Sequence, residues 1–165
     1  MKCRVASEKQ VQKYLRNYVY SLSPVSIISI MYVCENKLHF GFEKMRKVAD
    51  RVNNRYDDIS KGYLKFDELK ECLSEDNGIE IAYDLNFRRP AYTYDEARKN
   101  AEYTQKAFAT AVFASVLCDK FLFHQTKVYQ SIKWLETTFD RLKDRPSELK
   151  ELLLKYEDQY KVKIT

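Results

Sequence analysis

The chain has 165 residues, 45% apolar and 32% charged, and 29 basic against 24 acidic side chains leave a formal net charge of +5. That length suits one domain, and only three glycines and three prolines argue against a turn-rich all-β design. The modest positive charge fits loose attraction to nucleic acid or to an acidic protein surface without selecting either.

Residues 8–22 carry Val11, Leu15, Tyr18, Val19 and Leu22 at helical spacing. Ser23-Pro24 is expected to restart the chain as a new helix, Ser23 as N-cap and Pro24 at the first helical position. Residues 25–38 are apolar nearly all round, which predicts a central helix packed on several sides and broken by Gly41. Phe42, Met45, Val48, Ala49, Val52, Tyr56 and Ile59 space a third helix. A turn at Gly62 leads to a helix over 67–76, closed by Asn77-Gly78 as a left-handed cap. Residues 84–92, with Pro90, read as a linker. Thr93-Tyr94-Asp95-Glu96 is a capping box opening a long helix to about Phe123, with an alanine-rich middle. Val128, Ile132, Leu135, Phe139 and Leu142 space the next helix, and Arg145-Pro146 starts a last one to about Tyr160.

The two halves resemble each other. Cys34-Glu35-Asn36-Lys37-Leu38-His39-Phe40 answers Cys118-Asp119-Lys120-Phe121-Leu122-Phe123-His124, and Asp67-Glu68-Leu69-Lys70-Glu71-Cys72-Leu73 answers Ser147-Glu148-Leu149-Lys150-Glu151-Leu152-Leu153, at spacings of 84 and 80. Each half closes on an alternating run, Ile79-Glu80-Ile81 and Val162-Lys163-Ile164. The expectation is a single all-α domain over 1–165, six to seven helices in two degenerate repeats, about 8–83 and 93–165. At most, the two closing runs pair as a minor two-stranded β element.

Residues 57–68 have the outline of a calcium-binding EF-hand loop, with Asp57 first, Gly62 sixth and Glu68 twelfth. Positions three and five hold Ile59 and Lys61, where calcium needs oxygen donors, so a helix–turn–helix connection is expected instead. Cys34/His39 and Cys118/His124 offer a zinc-type donor set, but their spacings are not diagnostic and both cysteines lie in apolar helices. Neither a phosphate-cradling glycine loop nor a Gly-x-Ser-x-Gly turn is present. No catalytic residue, metal or cofactor is therefore assigned, and an enzyme is not expected. Cys3, Cys34, Cys72 and Cys118 are widely spaced, no signal peptide is evident, and residues 25–34 are too short for a membrane span. A cytoplasmic protein with reduced thiols and no membrane partner is the expectation.

Binding surfaces remain. Thirteen tyrosines are many for this length, and the densest aromatic-basic cluster is Phe87, Arg88, Arg89, Tyr92 and Tyr94. Such residues anchor protein interfaces, or clamp phosphates and stack on bases. A second basic face is Lys44, Lys47, Arg51 and Arg55, diluted by Glu43, Asp50, Asp57 and Asp58.

The run Leu38-His39-Phe40-Gly41-Phe42-Glu43-Lys44-Met45-Arg46 is followed by Val52-Asn53, Gly62-Tyr63-Leu64, Phe66-Asp67-Glu68-Leu69 and Gly78-Ile79-Glu80-Ile81. Over about residues 30–81 it resembles uncharacterised small proteins of Gram-positive phages and prophages, departing from them at Glu43, where a glycine is usual. The resemblance brings no catalytic residue. It implies a setting in which small non-enzymatic proteins regulate transcription, block host defences or assist replication. The reading is a regulatory or inhibitory protein that binds a host or viral protein through Phe87, Arg88, Arg89, Tyr92 and Tyr94, with a homodimer as a further option. A DNA- or RNA-binding regulator is the alternative, and a Cys/His metal protein or enzyme the second.

Overall fold

The structure, a computed structural model, describes residues 7–86 and 91–164. Six helices account for most of it: α1 (Glu8–Asn36), α2 (Phe42–Ser60), α3 (Phe66–Asn77), α4 (Tyr94–Phe121), α5 (Gln125–Leu142) and α6 (Pro146–Tyr160). The all-α expectation holds.

α1 is one helix, not two. A Ser7/Gln10 capping box starts it, and the chain runs through Ser23-Pro24 without a break. Proline in a helix interior costs about 3 kcal/mol. The apolar side chains beyond it outweigh that cost: every residue from Val25 to Met31 is buried, and each large one contributes about 1.5–3 kcal/mol. The side chains of Leu15 and Val19, expected on this stripe, lie outside the described set. α1 is also long and apolar enough to cross a membrane by length and composition, yet 67% of its most apolar window is buried inside the fold.

α4 is the second central helix, buried at every residue from Ala109 to Cys118. Its alanines at 107, 109, 111 and 114 are fully enclosed and let α1 come close. The two helices run in the same direction: Tyr18 meets Glu102 towards their starts, and Phe40 meets Phe123 just past their ends. α2 and α5 flank this pair, and α3 and α6 close its sides.

The halves share more than length. α1, α2 and α3 have 29, 19 and 12 residues; α4, α5 and α6 have 28, 18 and 15. A left-handed residue follows each long helix, His39 two positions past the α1 C-cap and Leu122 as the α4 C-cap, and Gly78 and Lys161 cap the short ones. Both pairs stand 83 positions apart (122 − 39 and 161 − 78). At that spacing buried Met45, Val48, Ala49 and Val52 of α2 match buried Val128, Ser131, Ile132 and Leu135 of α5. The packing also exchanges: α1 touches α5 and α6, while α4 touches α2 and α3. α6 touches α2, and Gln125 of α5 correspondingly donates to the Asn77 carbonyl at the end of α3 at 3.2 Å.

The closing runs do not pair, and no strand occurs among the described residues. Each lies as an extended arm against the other half, where side chains take the place of a ladder. The Glu80 N–H donates to the Tyr129 hydroxyl at 2.8 Å, and Asn53 Nδ2 donates to the Lys163 carbonyl at 3.0 Å. Ile79, Ile81 and Ile164 are buried by this arrangement.

Candidate functional site

At the end where α1 and α4 begin, Gln10, Lys13, Tyr14 and Asn17 form one helical stripe facing Tyr94. They line an open groove of about 420 Å³. Thr93 caps α4 by accepting from the Glu96 N–H at 3.2 Å, and the Glu96 carboxylate reaches back to the Tyr92 N–H at 2.8 Å. The return bond of the capping box thus falls on Tyr92 rather than on Thr93. This fixes Tyr92 and Tyr94 beside the groove, 67% and 45% exposed. Tyr14 meets Tyr94 edge to face, centroids 5.0 Å apart, and stacks on Tyr18 at 5.8 Å.

The wall behind the rings is polar and bonded. The Tyr18 hydroxyl donates to Glu102 Oε1 at 2.9 Å, and Lys143 Nζ donates to Glu102 Oε2 at 2.8 Å. Burial first, then the Glu102 carboxylate, holds the Tyr18 hydroxyl protonated well above the usual tyrosine range. The hydrogen bond to Glu102 likewise raises Lys143. Tyr14 therefore sits on a fixed base, not on a mobile one.

Phe87, Arg88 and Arg89 lie outside the described residues; of the aromatic-basic cluster the structure describes Tyr92 and Tyr94. Tyr14 was not legible as a site residue. Its signal is the stripe Gln10, Lys13, Tyr14 and Asn17, on the face of α1 away from Val11 and Leu22.

On α2, Lys44, Lys47 and Arg51 are exposed, whereas Arg55 is half-buried in an ion pair with Asp119 at 2.7 Å. The face expected from sequence is therefore three cations and one tether. Cys34 is enclosed and its thiol pushed up by burial; Cys118 is raised by burial and then by Asp119. His39 and His124 are exposed, and among the described residues no group of three or more His, Cys, Asp or Glu side chains could hold a metal ion. At the EF-hand-like turn, α2 runs on through Ser60, and Lys61 Nζ takes the Asp57 carboxylate at 2.6 Å. An ammonium thus occupies the oxygen that calcium would need.

A second groove, about 340 Å³, lies between the arm at 80–83 and helices α4 and α5, lined by Ile81, Tyr83, Tyr129, Ile132 and Glu136 among others. Burial and then Glu136 raise the Tyr83 hydroxyl, so its polar end carries a neutral phenol beside a carboxylate.

No protein-family model, curated protein or solved structure matches the chain.

Proposed function

We propose that the chain is two copies of one helical unit fused in tandem, and that it works by binding rather than by catalysis. In this reading it is a regulatory or inhibitory protein of the phage or mobile-element kind. It holds a host or viral protein at the tyrosine groove, in the host cytoplasm.

The observation that carries the reading is a groove walled by Tyr14 and Tyr94, with Tyr92 67% exposed, on a base fixed by the Tyr18–Glu102–Lys143 bonds. Tyrosine supplies a large apolar area and a polar tip with few rotatable bonds to freeze, and it is enriched among residues that dominate interfaces. Fixing the rings before binding removes part of the ordering cost that weakens association.

The test is affinity capture from nuclease-treated host lysate, comparing the native chain with Tyr14→Ala/Tyr94→Ala. Both rings lie at the rim, so the melting temperature should change little. A hot-spot role of about 2 kcal/mol predicts at least a tenfold loss of the captured partner. Undiminished capture would show that the groove is not the contact surface.

A further inference from the structure

Where α1 and α4 end, the surface has another chemistry. Each helix is followed by a left-handed residue carrying a Cβ, His39 at φ 54° two positions past the α1 C-cap and Leu122 at φ 55° as the α4 C-cap itself. That backbone is unfavourable for such residues, and here it recurs at matching positions. It turns the following chain inward, so that Phe40, Phe121 and Phe123 pack ring on ring, and leaves Leu122 79% exposed. Lys44 lies over Phe40 at 5.3 Å from the centroid, and Lys127 lies over Phe123 at 4.2 Å, four positions after its ring in each half. Lys37 and Lys120 stand exposed just before the two turns.

None of these four lysines forms an ion pair among the described residues. The adjoining carboxylates are engaged elsewhere, Glu35 by Lys155 at 2.6 Å and Asp119 by Arg55 at 2.7 Å. Glu43 and, further along α2, Asp50 are exposed acids that remain beside these cations. Lys47 and Arg51 carry the same charge one and two turns down α2.

We propose that this end of the molecule binds the phosphate backbone of duplex nucleic acid, with Lys37, Lys44, Lys120 and Lys127 on phosphates and Leu122 entering the groove between them. Cations matched across the two halves suit a polyanion whose two strands are themselves related by local two-fold axes. A lipid surface calls for cations in one plane, whereas here the charge continues down the flank of α2. A protruding leucine between lysines is the kind of apolar wedge that enters a groove and separates base steps.

Fluorescence anisotropy with a labelled duplex of arbitrary sequence tests this. With four phosphate contacts the log–log salt slope should be about −3.6, a loss of about a hundredfold between ~50 and ~200 mM salt. Lys44→Glu/Lys127→Glu should lower affinity at least tenfold at the lower salt. Lys44→Arg/Lys127→Arg should stay within about twofold, because phosphate contact needs only the positive charge, as should Lys9→Glu/Arg16→Glu at the opposite end, away from the contact. Since Lys44 and Lys127 lie on rings, Lys37→Glu/Lys120→Glu repeats the measurement without touching a ring. Absence of duplex binding at low salt, or affinity unchanged in both charge-reversed pairs, overturns the proposal. So does binding to phosphatidylserine vesicles by a chain that ignores the duplex.

Discussion

At one end of the α1–α4 pair aromatic rings meet one another and a carboxylate; at the other, rings meet ammonium groups. Tyr14, Tyr18 and Tyr94 touch, and the Tyr18 hydroxyl is tied through Glu102 to Lys143. Phe40, Phe121 and Phe123 also touch, but Lys44 and Lys127 cover two of them and, among the described residues, form no ion pair. Roughly 35 Å of helix separates the two clusters. A hydroxyl-bearing ring wall leaves a groove open to a partner, while phenylalanines under lysines present charge outward and seal the apolar faces beneath.

The largest expected difference between the ends is in stability. Phe40 is 8% exposed and joins both turns, whereas Tyr94 is 45% exposed. Phe40→Ala should cost about 3 kcal/mol, and Tyr94→Ala under about 1 kcal/mol. Urea unfolding measures both, and equal losses would mean that the tyrosine end is core rather than rim.

The next contrast concerns charge. Glu102 and Lys143 are 15% and 20% exposed at their side chains. Glu102→Leu removes the carboxylate that accepts from Lys143 and from the Tyr18 hydroxyl and should cost about 2 kcal/mol, while Asp119→Leu, at an exposed pair, should cost less than about 1 kcal/mol. If the two losses match, Lys143 has found water instead.

Most helices were legible because burial follows periodic apolar residues: Met45, Val48, Ala49 and Val52 on α2, and Val128, Ile132, Leu135, Phe139 and Leu142 on α5. Pro24 was misread because a local N-cap signal was weighed without the buried residues on its C-terminal side. The halves were aligned at spacings of 84 and 80 on look-alike letters such as Cys34 and Cys118. Left-handed residues and buried positions recur at a spacing of 83, and past both long helices an N–H bonds a carbonyl six residues back, Phe40 to Cys34 and Phe123 to Leu117. The tyrosine site was half legible, since Tyr92 and Tyr94 stood out beside arginines, but Tyr14 joins them only through the packing of two distant helix starts. Gly78 was correctly marked as a cap. Its neighbour was not visible: a Cβ there would meet the amide end of the Gln125 side chain, which would have to swing aside.

Alkaline pH separates buried hydroxyls from exposed lysines. The Tyr56 and Tyr156 hydroxyls are enclosed, and among the described residues no hydrogen bond of good geometry reaches either oxygen. Burial is the first cause raising both, opposed at Tyr56 by the neighbouring Ser26 hydroxyl and reinforced at Tyr156 by Glu35. Their folded pKa values exceed the unfolded one, so the unfolded chain releases protons first as pH rises. Their contribution is complete below about pH 10, the unfolded tyrosine value, and is lost as pH climbs towards the folded values. Each of the two hydroxyls should cost about 1 kcal/mol over the first pH unit above pH 10, about 2 kcal/mol together, and Tyr56→Phe should roughly halve that loss. A flat profile to pH 11 would mean that both hydroxyls ionise freely in the folded chain.

The smallest effect bears on whether the lysine-over-ring contacts at the helix ends hold anything together. Lys127 Nζ lies 4.2 Å from the Phe123 centroid, with Lys120 and Lys44 carrying like charge on the same end of the fold. Removing Lys127 relieves repulsion, which alone would stabilise the chain by a few tenths of a kcal/mol at low salt. It also removes an attraction between cation and ring of about 0.5–1 kcal/mol. The attraction acts at contact distance and the repulsion through screened solvent, so the first should win. Lys127→Ala is therefore expected to lose about 0.5 kcal/mol, while Lys127→Arg loses nothing because a guanidinium stacks on the same ring face. Thermal melts at low and high salt separate the two contributions. A Lys127→Ala chain that melts higher than the native one at low salt would show that repulsion dominates and that Phe123 does not need its ammonium.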